Sequence, residues 1–152
     1  MIVLLAESKS ALDKVISMAE QLGVKMLRQT GFDGNDLVFH GIDDADHIEQ
    51  VSENLPGLAI DKDRFNVLLY HRPVGWEAAI DHGIDLMLSG HTHNGQIFPF
   101  NWAVRQQFDR IAGLYQQKDA SLYVSSGTGT WGPLMRLGSF NEVTLFKLKP
   151  ST

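Results

Sequence analysis

Residues 66 to 93 read NVLLYHRPVGWEAAIDHGIDLMLSGHTH. Asn66 to Tyr70 is a nearly continuous apolar run, the pattern of a strand covered on both faces. Pro73 suits the first helical position and Gly83 the position just past the last, which predicts a helix over Val74 to His82. Ile84 to Leu88 is then a second strand, so the segment predicts a βαβ unit with parallel neighbouring strands and an α/β fold class. Each strand runs into a histidine: His71 follows the first, and His91 follows the second on the Ser89-Gly90 turn.

In open α/β sheets, ligands bind beyond the carboxyl ends of the strands, where the chain turns and side chains converge. Parallel neighbours would bring His71 and His91 to the same edge, with His93 two residues further on. Neutral imidazole is the commonest protein ligand for zinc and similar first-row metals, so three imidazoles on one small volume predict a metal site. Taken singly, His71 reads as a satisfied core histidine and Gly90-His91-Thr92-His93 as a polar loop. The convergence at two strand ends is what favours metal. His40, His47 and His82 fall on a strand, in an acidic helix and at a helix end, and are expected to be structural or exposed. Asp43 and Asp44 read as a polar turn.

Working outward, Leu12, Val15, Ile16, Ala19 and Leu22 recur at helical spacing, predicting a helix over Ser10 to Leu22 that stops at Gly23. Ile2 to Ala6 is an apolar run compatible with a buried strand, which periodicity alone does not separate from helix. Val24 to Leu27 and Leu37 to Ile42 read as strands placed to pair as a hairpin across the Gly31 to Asp36 turn. A short helix is expected between Asp43 and Asn54, ending before Pro56. Beyond the Ser89 to Asn101 loop, strands are expected at Ser121 to Ser125 and Glu142 to Leu148, with the glycine-rich loop Gly127 to Pro133 between them.

The 152 residues, 43% of them hydrophobic, suffice for one core, so residues 1–152 are read as a single domain. A net charge of -5 without a Lys/Arg cluster argues against an extended nucleic-acid surface. Cysteine is absent, which excludes disulfides, thiolate metal sites and thiol nucleophiles and fits a reducing compartment. No apolar run approaches the ~20 residues that span a bilayer, and the opening stretch lacks the features of a signal peptide. The expected location is cytoplasmic or peripheral to a membrane.

The strings Leu69-Tyr70-His71-Arg72-Pro73 and Gly90-His91-Thr92-His93-Asn94-Gly95-Gln96 resemble the two C-terminal metal-binding motifs of the calcineurin-like metallophosphoesterases. The similarity extends to Gly41-Ile42-Asp43-Asp44 and Ser126-Gly127-Thr128-Gly129, and to the subgroup often attached to membranes through an N-terminal segment. It implies the C-terminal part of a β-sandwich flanked by helices (α/β/β/α) and a site for two divalent metal ions, with Mn, Fe, Zn or Ni undecided. By the same resemblance His71 and His91 bind one metal and His93 the other. Metal-activated water would attack a phosphodiester or phosphomonoester, a small-molecule phosphate ester being the expected partner. Arg72, Asn94, Arg136, Gly127 and Gly129 are candidates for binding substrate, the last two through backbone N–H groups arranged as an anion nest.

The family's first three motifs, Asp-x-His, Gly-Asp-x-x-Asp and Gly-Asn-His-Asp/Glu, have no equivalent here. The domain is therefore expected to lack its N-terminal half, and with it a bridging carboxylate, an Asn ligand and a histidine assisting the leaving group. That leaves two further readings open: a silent domain or scaffold needing a partner to complete the site, and a mononuclear three-histidine zinc site. Metallo-β-lactamase-type hydrolases also use His-x-His but continue with x-Asp-His, where this chain has Asn94-Gly95-Gln96. A sheet without its first strands would expose an edge and an apolar face, so self-association is expected.

Overall fold

A computed structural model describes residues 9–149 apart from 35 and 46, with side chains from residue 13 onward. The run Ile2 to Ala6 lies outside the described residues. Among them, six strands form one sheet: β1 (Thr30–Asp33), β2 (Leu37–Gly41), β3 (Phe65–Leu69), β4 (Leu86–Ser89), β5 (Gly113–Gln117) and β6 (Ala120–Val124), in the order β1-β2-β3-β4-β6-β5. Four helices accompany it: α1 (Lys9–Gln21), α2 (Gln50–Asn54), α3 (Trp76–His82) and α4 (Asn101–Gln107). The fold is mixed α/β, as the alternating pattern predicts. The described residues form one sheet, without the second layer of a sandwich.

The four inner strands β2, β3, β4 and β6 are mutually parallel, and β1 and β5 close the edges antiparallel. Parallel strands need cover on both faces, and Val67, Leu68, Met87, Leu122 and Val124 are accordingly all buried. Helix α3 seats Trp76 and Ala79 in the same buried cluster as Leu68, Tyr70 and Met87. Each large apolar side chain so buried contributes roughly 1.5–3 kcal/mol. The helix is capped by Gly83 in the left-handed region (φ 98°), whose N–H reaches the carbonyls of Ala79 and Ile80. It starts two residues later than the Pro73 signal implies, because Gly75 (φ 73°) turns the chain against Val51 of α2.

Three segments depart from the sequence expectation. The partner of β2 is Thr30–Asp33, not Val24 to Leu27: Gly34 N–H donates to Leu37 O (2.8 Å), closing a tighter turn than the Gly and Asp content suggests. Leu27 instead crosses over Gly41, where any Cβ would meet the Leu27 carbonyl. Strand β5 lacks a sequence signature because its turn to β6 places Lys118 at positive φ (53°) without a glycine. Glu142 to Leu148 has strand-like composition but is not a strand, since it finds no ladder partner among the described residues. It is held by side chains: the Tyr123 hydroxyl donates to Glu142 Oε1, and Thr144 Oγ1 to the Tyr123 oxygen, both at 2.9 Å. Phe140, Val143 and Leu145 are left 85%, 89% and 94% exposed.

Candidate metal centre

The parallel strands deliver four loops to one edge of the sheet. Pairing of β2 with β3 aligns Gly41 with Leu69, β3 with β4 aligns Leu69 with Leu88, and β4 with β6 aligns Ser89 with Val124. Beyond them lie Asp43-Asp44, His71-Arg72, His91 to Gln96, and Ser125 to Gly129. Backbone bonding continues past the strand ends, with Gly90 N–H to His71 O (2.9 Å) and Ser125 N–H to Ser89 O (2.8 Å). The Ser89 hydroxyl also donates to Arg72 O (3.2 Å), tying the two histidine-bearing turns together.

His71 and His91 meet there. Their rings pack edge to face at 4.8 Å between centroids, and His91 Nδ1 lies 3.0 Å from His71 Nε2. Burial holds all three histidines below their ordinary pKa: His71 falls to about 4, aided by its neighbour His91, and His93 is lowered further by Arg136. All three are neutral near pH 7, the form that ligates metals. Two imidazole nitrogens sharing one metal at about 2.0–2.1 Å lie roughly 2.9–3.4 Å apart between octahedral and tetrahedral angles. The His71–His91 pair fits two such positions.

His93 opens onto the same cavity, but its Nδ1 faces Arg136 Nη2 at 3.3 Å. No group of three or more His, Asp or Glu side chains able to hold a metal occurs among the described residues. The chain thus brings two donors together and holds the third apart.

The turn carrying these residues is unusual backbone. His91 (φ 69°), His93 (49°), Asn94 (52°), Gly95 (74°) and Gln96 (52°) all have positive φ. Left-handed non-glycine residues cost about 1–2 kcal/mol each, and such runs gather at functional sites, where surrounding contacts enforce them. The contacts are visible here. Thr92 Oγ1 donates to Ile111 O (2.6 Å), and Gln96 Nε2 to Trp131 O (2.6 Å), while Gln96 Oε1 accepts from Trp131 N–H (2.6 Å). Gly95 packs where a side chain would strike Asn101 of α4.

The other candidate residues go elsewhere. Arg72 Nε donates to Asp44 Oδ1 at 2.7 Å in a mostly buried ion pair, anchoring the loop after β2 beside the histidines. Arg136 donates to the carbonyls of His93 (3.2 Å), Ser126 (2.7 Å) and Gly129 (2.6 Å). The glycine loop therefore turns carbonyls inward onto a guanidinium. Gly127 N–H is taken by Ser125 Oγ (3.0 Å) and Ser126 N–H by Glu142 Oε1 (3.1 Å), so these N–H groups are not gathered into an anion nest. Asn94 lies on the turn outside the cavity lining. His40 is buried against Asn66 (3.0 Å), and His82 Nδ1 reaches Ala78 O (2.9 Å).

The histidines line a cavity of about 600 Å³ together with α4, Phe108 and Trp131. Nothing in the sequence marks the α4 wall except the aromatic content of residues 98–108.

The chain is similar to several metallophosphoesterases. An uncharacterized metallophosphoesterase of Campylobacter jejuni is 43% identical over 88 residues, covering 55% of this chain and 23% of that protein. One of Aquifex aeolicus is 32% identical over 146 residues, covering 91% and 56%. A bovine transmembrane protein with metallophosphoesterase domain is 41% identical over 108 residues, covering 69% and 22%. The chain thus spans about a quarter of the first and third and about half of the second. No protein-family model and no solved structure matches it.

Proposed function

We propose that this chain, which belongs to the metallophosphoesterase family, supplies the histidine side of a metal-dependent phosphoesterase site. The observation that carries this reading is the 3.0 Å approach of His71 Nε2 and His91 Nδ1 at the ends of adjacent parallel strands. A divalent metal held there would supply Lewis acidity to a phosphoryl oxygen and lower the pKa of a bound water. The chain's own part is to present lone pairs: burial keeps the imidazoles neutral, and the Ser89 and Gly90 bonds fix their backbone. His93 is the ligand proposed for a second metal, with Arg136 orienting its ring. In this reading the sheet is one layer of a two-sheet sandwich, and the exposed Phe140, Val143 and Leu145 belong to the face the other layer covers.

Metal analysis of the chain purified with and without added Mn²⁺, beside His91→Ala, tests the assignment. We expect a bound divalent ion that the variant loses; no bound metal, or equal metal in the variant, would refute it. A second reading is a catalytically silent domain whose site a partner completes, favoured by the want of a third clustered ligand among the described residues. It predicts metal retention without hydrolysis of bis-p-nitrophenyl phosphate, and turnover by the chain alone would exclude it.

No helix among the described residues is long and apolar enough to cross a membrane.

A further inference from the structure

The cavity in front of the histidines has an apolar wall that metal binding does not explain. Phe100, Ala103, Val104 and Gln107 line it at the i, i+3, i+4, i+7 spacing of a single helical face. Ile97 and Phe108 add to the apolar surface, and the Phe108 ring lies 5.3 Å from that of His91. Among the described residues no Lys, Arg, Asp or Glu lines the cavity.

Two of the polar side chains lining the cavity are already engaged. The Thr92 hydroxyl is donated to Ile111 O, and the Gln96 amide is bonded on both its nitrogen and its oxygen to the backbone of Trp131. A nucleoside or sugar entering here would leave its hydroxyls and ring nitrogens short of partners while displacing their water, which disfavours it. A hydrocarbon meets no such obstacle. The imidazoles and the Gln107 amide are the polar groups left to orient a ligand.

We propose that this cavity takes the unbranched aliphatic chain of a phosphate ester, with the ester phosphate lying against the histidines. The place of the phosphate rests on the phosphoesterase reading; the place of the chain rests on the wall alone. The ligand class is then an alkyl or acyl-bearing phosphoester.

The test uses butyl, hexyl and octyl phosphate below their micelle concentrations, titrated calorimetrically into the chain with chelator and again with Mn²⁺. Affinity should rise about three- to fourfold per added methylene. Ala103 is exposed and lines the cavity, so Ala103→Asp should fold and abolish the chain-length dependence, while Ala103→Leu should keep it. Octyl phosphate binding no tighter than butyl phosphate, or an unchanged series in Ala103→Asp, would overturn the proposal. Octanol binding as tightly as octyl phosphate would overturn the placing of the phosphate. Hydrolysis of bis-p-nitrophenyl phosphate is measured in parallel, so that the two readings fail separately. Chain-length dependence of binding without turnover supports the cavity assignment and counts against the enzyme; turnover without chain-length dependence in the alkyl phosphate series does the reverse.

Discussion

Gly95→Ala should damage the histidine turn more than its backbone angle alone accounts for. At φ 74° an alanine is in the left-handed region, which costs about 1–2 kcal/mol. Its Cβ would also fall on the backbone of Asn101, an obstacle that cannot swing away as a side-chain tip does. Overpacking of that kind adds roughly 1–3 kcal/mol, giving about 2–5 kcal/mol in all, a sizeable part of an ordinary domain's stability of about 5–15 kcal/mol. Gly127→Ala is the matched control, because Gly127 has nearly the same φ (75°) and nothing within 4 Å of its missing Cβ. It should lose only the first part. Urea unfolding followed by the fluorescence of buried Trp76 would read the difference; at about 2 kcal/mol per molar urea, Gly95→Ala shifts the midpoint by roughly 1–2.5 M. Equal losses in the two variants would show that Gly95 and α4 are not in contact as described, and with that the placing of His93 would fall.

Asp44→Ala leaves the mostly buried Arg72 guanidinium without its carboxylate and should cost about 1–3 kcal/mol by the same assay, whereas Lys118→Ala, at an exposed pair, should stay within about 0.5 kcal/mol. An Asp44→Ala loss no larger than that of Lys118→Ala would remove the anchoring role. In chelator-treated protein the His71 ring should titrate near pH 4 by NMR, and a midpoint near 6.5 would mean that it is solvated. Since folding lowers its proton affinity, the unfolded chain binds the extra proton between about pH 4 and 6.5, so stability should fall as pH drops through that window. Light scattering should find the chain self-associated, and a Phe140→Asp/Leu145→Asp double variant should shift it towards monomer. A monodisperse parent chain would contradict this.

The βαβ unit was legible because three independent signals agree over Asn66 to Leu88: an apolar run, a helix bracketed by Pro73 and Gly83, and a second apolar run. Its strand ends mark His71 and His91 in the sequence itself. What stayed hidden depends on meetings between distant segments. Gly31 and Asp33 look like turn residues and become strand through pairing with His40 and Val38. Val143 and Leu145 look like strand and have no strand to pair with among the described residues. Arg136 carries the charge expected of a phosphate ligand, yet the 126–129 carbonyls, far from it in character though near in sequence, claim its donors first. The α4 wall has no signature in the sequence beyond its aromatic residues, because its place beside the histidines depends on the close approach of Gly95 to Asn101.

The bond from Gly90 N–H to His71 O makes the spacing of the two imidazoles a property of the sheet itself. Adjacent strands lie about 4.8 Å apart and successive side chains face opposite ways. Homologues of this chain should therefore vary freely in the length of their loops at this edge, yet tolerate no insertion or deletion between Leu69 and His71 or between Leu88 and His91. One added residue there would carry an imidazole further from its strand end and out of reach of its partner.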